Sequence, residues 1–184
     1  MKALWLVVLA GCSLASAQPP EAADKKAAAI AGFRTLYSVL QHPRCMNCHP
    51  SGDAPLQYDD SRVHGMNISR RSEKNGLPCA TCHREKNGIF PNQPPGAPNW
   101  HLPPVETPMV FQGRSPKQLC EQLKTPRETG GRTLAQLIDH VARDHLVSWG
   151  WDPGPGRTPV PVPREQVVAA MKLWVDANAP CPAD

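Results

Sequence analysis

The stretch HPRCMNCHPSGD (residues 42–53) and its counterpart LPCATCHREK (residues 77–86) each contain Cys-x-x-Cys-His. The positions are Cys45, Cys48 and His49 in the first copy, and Cys79, Cys82 and His83 in the second. Two thiols with an imidazole directly behind them can hold zinc, cycle as a redox disulfide, or carry a covalent haem. The pattern favours haem. Two residues between the thiols match the two vinyl groups of the porphyrin, and the next residue turns under the ring to bind the iron. At this chain's Cys and His frequencies one copy arises by chance in about one of a hundred such sequences, and two copies far less often.

Zinc held by Cys45, Cys48, Cys79 and Cys82 is the main rival. Thirty residues separate the two pairs, against roughly 15–20 in zinc ribbons, and zinc gives no reason for a histidine at the same offset behind each. A thioredoxin-like redox pair needs a βαβ setting, and none is visible. The cofactor expected from the residues is therefore two haem c groups, with Cys45, Cys48, Cys79 and Cys82 as thioethers and His49 and His83 as proximal ligands.

Composition agrees with an interior completed by a cofactor. The chain has 184 residues, only 5% of them aromatic, and 22 prolines, too little for a large side-chain core. A porphyrin is an apolar disc that helices can wrap.

Each iron has a sixth position to fill. His64, between the motifs in SRVHGMNIS, is the first distal candidate, with Met66 as its substitute. His101, aimed by flanking prolines and Trp100, is the second. His140, beside the Ile138/Val141 stripe, and His42, too close to Cys45 to cap its own haem easily but able to cap the other, are lesser candidates. His145 is better explained by the dipole at a helix C-terminus. So many spare histidines favour bis-histidine ligation, hence closed irons and lower potentials than His/Met pairs.

The expected fold class is mainly α with much irregular, proline-rich structure: a small di-haem cytochrome c type domain wrapped around two covalent haems. Ile30, Phe33, Leu36, Tyr37 and Leu40 lie on one face of a helix over 24–41, ending before Pro43. Residues 50–78 show no sustained period. Seven prolines in 91–108 exclude helix or central strand there, leaving a wrap or a linker. Ser115 and Pro116 open a helix to about Lys124, with Leu119 and Leu123 inward. Thr133 and Gln136 form a capping box for a helix carrying Leu134, Leu137, Ile138 and Val141. A last helix, about Arg164 to Asn178, carries Val167, Val168, Met171, Trp174 and Val175 as a core stripe. The expected organisation is a signal peptide over 1–17 and a single domain over 18–184. That domain divides into a haem-attachment half (24–90), a proline-rich connection (91–108) and a helical half (109–184).

MKALWLVVLAGCSLASAQ at the N-terminus has the layout of a secretory leader and is too short to span a bilayer. Ala15-Ser16-Ala17 fits ordinary cleavage before Gln18, whereas Leu9-Ala10-Gly11-Cys12 resembles a lipoprotein box. Cleavage after Ala17 is favoured, because the lipoprotein leader would be unusually short. The chain is expected in the periplasm, on a membrane only if Cys12 is lipidated. Losing Lys2 takes the net charge from +4 to +3, too mild and scattered for nucleic acid. Arg70, Arg71 and Lys74 read as a solvated loop, or as partners for haem propionates. Of the seven cysteines, Cys120 and Cys181 remain once the motifs and Cys12 are set aside, and an oxidising compartment favours a disulfide between them.

The order Cys-x-x-Cys-His, Ala54-Pro55, His64-Gly65-Met66, Gly76 and the second Cys-x-x-Cys-His resembles the di-haem small subunit of periplasmic nitrate reductase. The resemblance covers about 45 residues and implies His64 as a distal ligand. Taken whole, HPRCMNCHPSGD, PPGAPNWHLPP (94–104) and WGWDPGPGR (149–157) are similar to proteobacterial proteins labelled isoquinoline 1-oxidoreductase subunits. That likeness implies a molybdenum hydroxylase as partner, its electrons drained by the haems. The expected function is periplasmic electron transfer, as a shuttle or as the cytochrome subunit of a redox enzyme, rather than catalysis. The alternative is a small haem enzyme, a peroxidase or oxyanion reductase, with one open iron.

Overall fold

A computed structural model describes residues 20–183; the leader expected over 1–17, with Cys12, lies outside them. Among the described residues the chain is mainly helical, as the periodicity predicts. The helices are α1 (Pro20–Leu40), α2 (Pro43–Met46), α3 (Pro116–Lys124), α4 (Leu134–Arg143), α5 (His145–Ser148) and α6 (Arg164–Asp176). The only strands described are a two-residue antiparallel pair, β1 (Leu56–Gln57) and β2 (Arg62–Val63), with Leu56 opposite Val63. None of the described helices is long and apolar enough to cross a membrane.

The core forms where α1 crosses α6. Phe33 packs on Trp174 with ring centres 5.0 Å apart, and Leu36, Leu119, Val167 and Met171 surround them, all buried. Gly32 allows the close crossing: a Cβ there would stand 2.8 Å from the Ala170 carbonyl oxygen, closer than side chains tolerate. Trp174 Nε1 donates to Pro180 O at 3.0 Å, which folds the C-terminal tail back onto the core. Cys120 and Cys181 are joined there as a disulfide, with Cα atoms 5.6 Å apart, the pairing expected for the two cysteines left over from the motifs and Cys12.

Local signals explain the helix boundaries. Pro43 cannot continue α1, and the chain restarts as α2 with His42 as its cap, Nδ1 accepting from Arg44 N at 3.2 Å. Ser115 and Gln118 exchange hydrogen bonds at the start of α3, and Thr133 and Gln136 do so at the start of α4. One boundary corrects the expectation: α4 ends at Arg143, and His145 is the first residue of α5 rather than a helix C-terminus. Asp144 causes the break, because its Oδ1 accepts from Leu146 N and Val147 N at 2.8 and 3.2 Å. The carboxylate thereby caps a new helix instead of continuing the old one.

The segment 91–108 contains no helix or strand, and its carbonyls are anchored along its length. Arg157 donates to Gln93 O, and Arg70 Nη1 donates to Pro103 O at 3.0 Å. It is a wrap, pinned to both halves of the chain.

Candidate haem-attachment sites

The single turn of α2 and the turn after it set the first motif. Cys48 N bonds Cys45 O at 3.2 Å and His49 N bonds Met46 O at 2.9 Å, so the helical winding continues through all three side chains. Cys45, Cys48 and His49 line a cavity of about 190 Å³. Its walls are mostly apolar: Leu36, Val39 and Leu40 from α1, Leu123, Leu137, Val141, Val167 and Met171 from the later helices, and Trp100, Trp149 and Trp151.

His49 is held on two sides. Its ring stacks on Phe111 with centres 3.9 Å apart, and its Nδ1 lies 2.8 Å from Met109 O. A carbonyl can only accept, so the proton sits on Nδ1 and the Nε2 lone pair is left for another partner. Burial pushes the His49 pKa down to about 4, which keeps the ring neutral. Burial likewise pushes the Cys45 thiol up to about 12 and Cys48 to about 11. These are protonated thiols in an apolar wall, unlike the activated thiolates of disulfide oxidoreductases.

A short 3-10 turn, Cys79–Thr81, carries the second motif. Here the setting is open: Cys79 is half-buried and Cys82 exposed. His83 is nonetheless anchored in the same way, with Nδ1 2.8 Å from Pro95 O. Gly96 makes that approach possible, because a Cβ at this position would collide with the carbonyls of Arg84 and Lys86. Trp100 stacks on the His83 ring, centres 4.5 Å apart and 5° from parallel, and burial lowers the His83 pKa. The His64 ring stands 6.2 Å from that of His83, and its own Nδ1 is tied to Gly65 O at 2.8 Å. Two imidazoles bound to opposite sides of one metal ion through bonds of about 2 Å have ring centres roughly 6 Å apart.

The remaining histidines divide by location. His101 is exposed and His140 half-buried, yet both line the cavity of the first motif. His42 does not line it, and spends Nδ1 as the acceptor that caps α2. Met66, the substitute for His64, is 78% exposed. Arg70 is not a solvated loop residue: it bonds Pro103 O and Pro50 O at 3.0 and 3.2 Å. Arg71 and Lys74 reach Asp53 and Glu106 at 3.9 and 3.5 Å. Among the described residues no three His, Cys, Asp or Glu side chains converge as a metal cluster.

Sequence reasoning missed Arg44. It lies between His42 and Cys45, its side chain is only 1% exposed and pairs with Asp59, and it lines the first cavity. Its guanidinium sits 5.4 Å from the centre of the Trp149 ring, and its buried Nε has no hydrogen-bond partner. Nothing local marks this role, because Asp59 and Trp149 reach it only through the fold. Asp144 was missed too, although its place four residues after His140 was a readable signal.

No protein-family description, curated protein or solved structure matches this chain.

Proposed function

We propose that the chain is a two-haem c-type electron carrier. One observation supports this reading above the rest. Both Cys-x-x-Cys-His histidines, thirty-four positions apart in sequence, donate Nδ1–H to a backbone carbonyl, from Met109 and Pro95, at 2.8 Å in each case. This anchoring fixes the tautomer and the ring plane of a metal-binding histidine, and it turns Nε2 toward the metal. A zinc ribbon built on four thiolates has no use for it.

The residues fit the group. Cys45 and Cys48 border an apolar cavity and are neutral thiols of the kind that add to vinyl groups. The buried, unpartnered Nε of Arg44 suits a propionate carboxylate, whose approach would satisfy an orphan donor that is otherwise costly. At the second site His64 and His83 are spaced for one iron, and Cys79 and Cys82 remain accessible for attachment.

Bound in these sites, each haem supplies a one-electron Fe(III)/Fe(II) couple. The protein's part is to keep that couple ready. His49 and His83 would be the residues that hold the irons, with Met109 O and Pro95 O preventing rotation of the rings. His64 would be a further ligand at the second site, and the first cavity offers His101 and His140 for the same purpose. The apolar walls exclude water, and a ligand set that stays unchanged on reduction keeps reorganisation small. Trp100 stacks on His83 and also lines the first cavity, so one aromatic ring touches both sites. The partners in this reading are redox proteins of an oxidising compartment, which accords with the Cys120–Cys181 bridge.

The test is expression with haem-maturation machinery, followed by mass analysis and by optical and EPR spectra with and without dithionite and carbon monoxide. Two covalent haems, two low-spin ferric signals and no shift with carbon monoxide are expected. Absence of a Soret band overturns the reading, and a high-spin iron that binds carbon monoxide favours a haem enzyme instead.

A further inference from the structure

Two imidazoles share the first cavity with His49, and their surroundings separate them. His101 is exposed, and its Nδ1 is bound at 2.6 Å to the carbonyl of Asn99 in its own loop. His140 is half-buried on α4, on the face that also gives Leu137 and Val141 to the cavity wall. Its Nδ1 lies 3.2 Å from Asp144 Oδ2, one helical turn later. A carboxylate only accepts, so Nδ1 carries the proton and Nε2 the lone pair.

Asp144 is itself immobilised. Its other oxygen caps α5 through Leu146 N and Val147 N. Arg164 donates to Val141 O at 2.7 Å and to Asp144 O at 3.3 Å. The orientation of the His140 ring is therefore built into the corner between α4 and α5. A carboxylate behind a metal-bound histidine fixes its ring and makes it a stronger donor, an arrangement that His101 lacks.

We propose that His140 is the second axial ligand of the haem attached through Cys45 and Cys48, and that Asp144 is the positioning residue that aims and strengthens it. The proposal rests on the two-haem reading above and goes beyond it by making the two irons unequal. His140 is backed by a carboxylate, whereas His64 is backed by the neutral carbonyl of Gly65. Negative charge behind a ligand stabilises ferric over ferrous iron, so Asp144 holds the potential of the first haem down and leaves the second untouched.

The experiment uses the full chain carrying both haems. His140→Gly is expected to convert one of the two low-spin EPR signals to high spin and to let carbon monoxide bind half of the reduced haem. Added imidazole should restore the lost signal, which a purely structural role would not allow. Should the glycine variant fail to accumulate, His140→Met is read instead: one histidine–methionine signal supports the assignment, and two unchanged bis-histidine signals overturn it. Asp144→Asn keeps a good helix cap, so both signals should stay low spin while one of the two potentials moves positive. His101→Ala should leave both low-spin signals in place. The assignment is overturned if His140→Gly retains both low-spin signals, if His101→Ala opens an iron, or if Asp144→Asn moves neither potential or both. Failure of the two-haem reading is seen separately, as wild-type protein without covalent haem.

Discussion

The two Cys-x-x-Cys-His copies are chemically the same and physically opposite. The first is set between helices, with α1, α3, α4 and α6 all contributing walls to its cavity. The second rides on loops, with Cys82, Thr81 and Arg84 exposed. What they share is the one bond that matters for a metal ligand, Nδ1 to a carbonyl of the 91–109 region. The difference teaches that one motif can be placed in two unlike settings by the fold. In the two-haem reading proposed above, a haem at the first site would complete the core, and one at the second would be appended to it.

The sharpest way to break that comparison is to remove each attachment in turn. In the two-haem reading, replacing Cys45 and Cys48 with Ala should cost the cooperative thermal transition as well as one haem, because the cavity would lose the group that completes it. Replacing Cys79 and Cys82 should remove one haem and leave the helical circular-dichroism signal and its melting temperature within a few degrees of wild type. Equal damage from both would mean that the second site is no less structural than the first.

Next in size is the bridge from α3 to the tail. Cys120→Ser with Cys181→Ser opens a loop whose ends are 61 residues apart. Its loss is expected to cost about 4 kcal/mol by loop-closure entropy, measured by urea unfolding. The bridge joins α3 to the chain after α6, both beside the first motif, so in the two-haem reading the second haem's spectrum should not change.

Breaking the Arg44–Asp59 pair acts on the first motif alone. Asp59→Ala leaves a buried guanidinium without its carboxylate. Because Asp59 is 44% exposed, the expected loss is on the order of 2 kcal/mol, below the 3–5 kcal/mol of a fully buried pair. Asp59 also accepts from Thr158 N and Oγ1 at 3.0 and 2.7 Å, and Thr158→Val should reproduce only a minor part of that loss.

Trp100→Leu gives the smallest effect, about 1 kcal/mol for a lost ring stack, and it sharpens the contrast. With water admitted beside His83, the second haem's potential should fall more than the first's in a potentiometric titration.

How much of this was legible in the sequence depended on range. Ser115/Gln118 and Thr133/Gln136 are pairs three residues apart, so the starts of α3 and α4 could be placed from neighbours alone. Cys-x-x-Cys-His is equally local, and its geometry is nearly a covalent requirement. Asp144 is legible in principle, four residues after His140; its use as a cap ends α4 early and places His145 at the start of the next helix. The carbonyls of Pro95 and Met109 carry no side-chain signal at all. That they meet His83 and His49 follows from the path of the proline-rich wrap, which no periodicity encodes. Arg44 belongs with them: Asp59, fifteen residues away, and Trp149, more than a hundred away, are brought to it only by the folded chain.

The contrast in accessibility also has a consequence for biogenesis. Cys45 and Cys48 are half-buried and line the cavity between the helices, whereas Cys82 stays in reach of solvent. In the two-haem reading, a haem that lies among α1, α3, α4 and α6 is expected to be attached before those helices finish docking around it. Exposed Cys82, with Cys79 beside it, imposes no such deadline. In that reading the motif with the least time is also the first of the two along the chain.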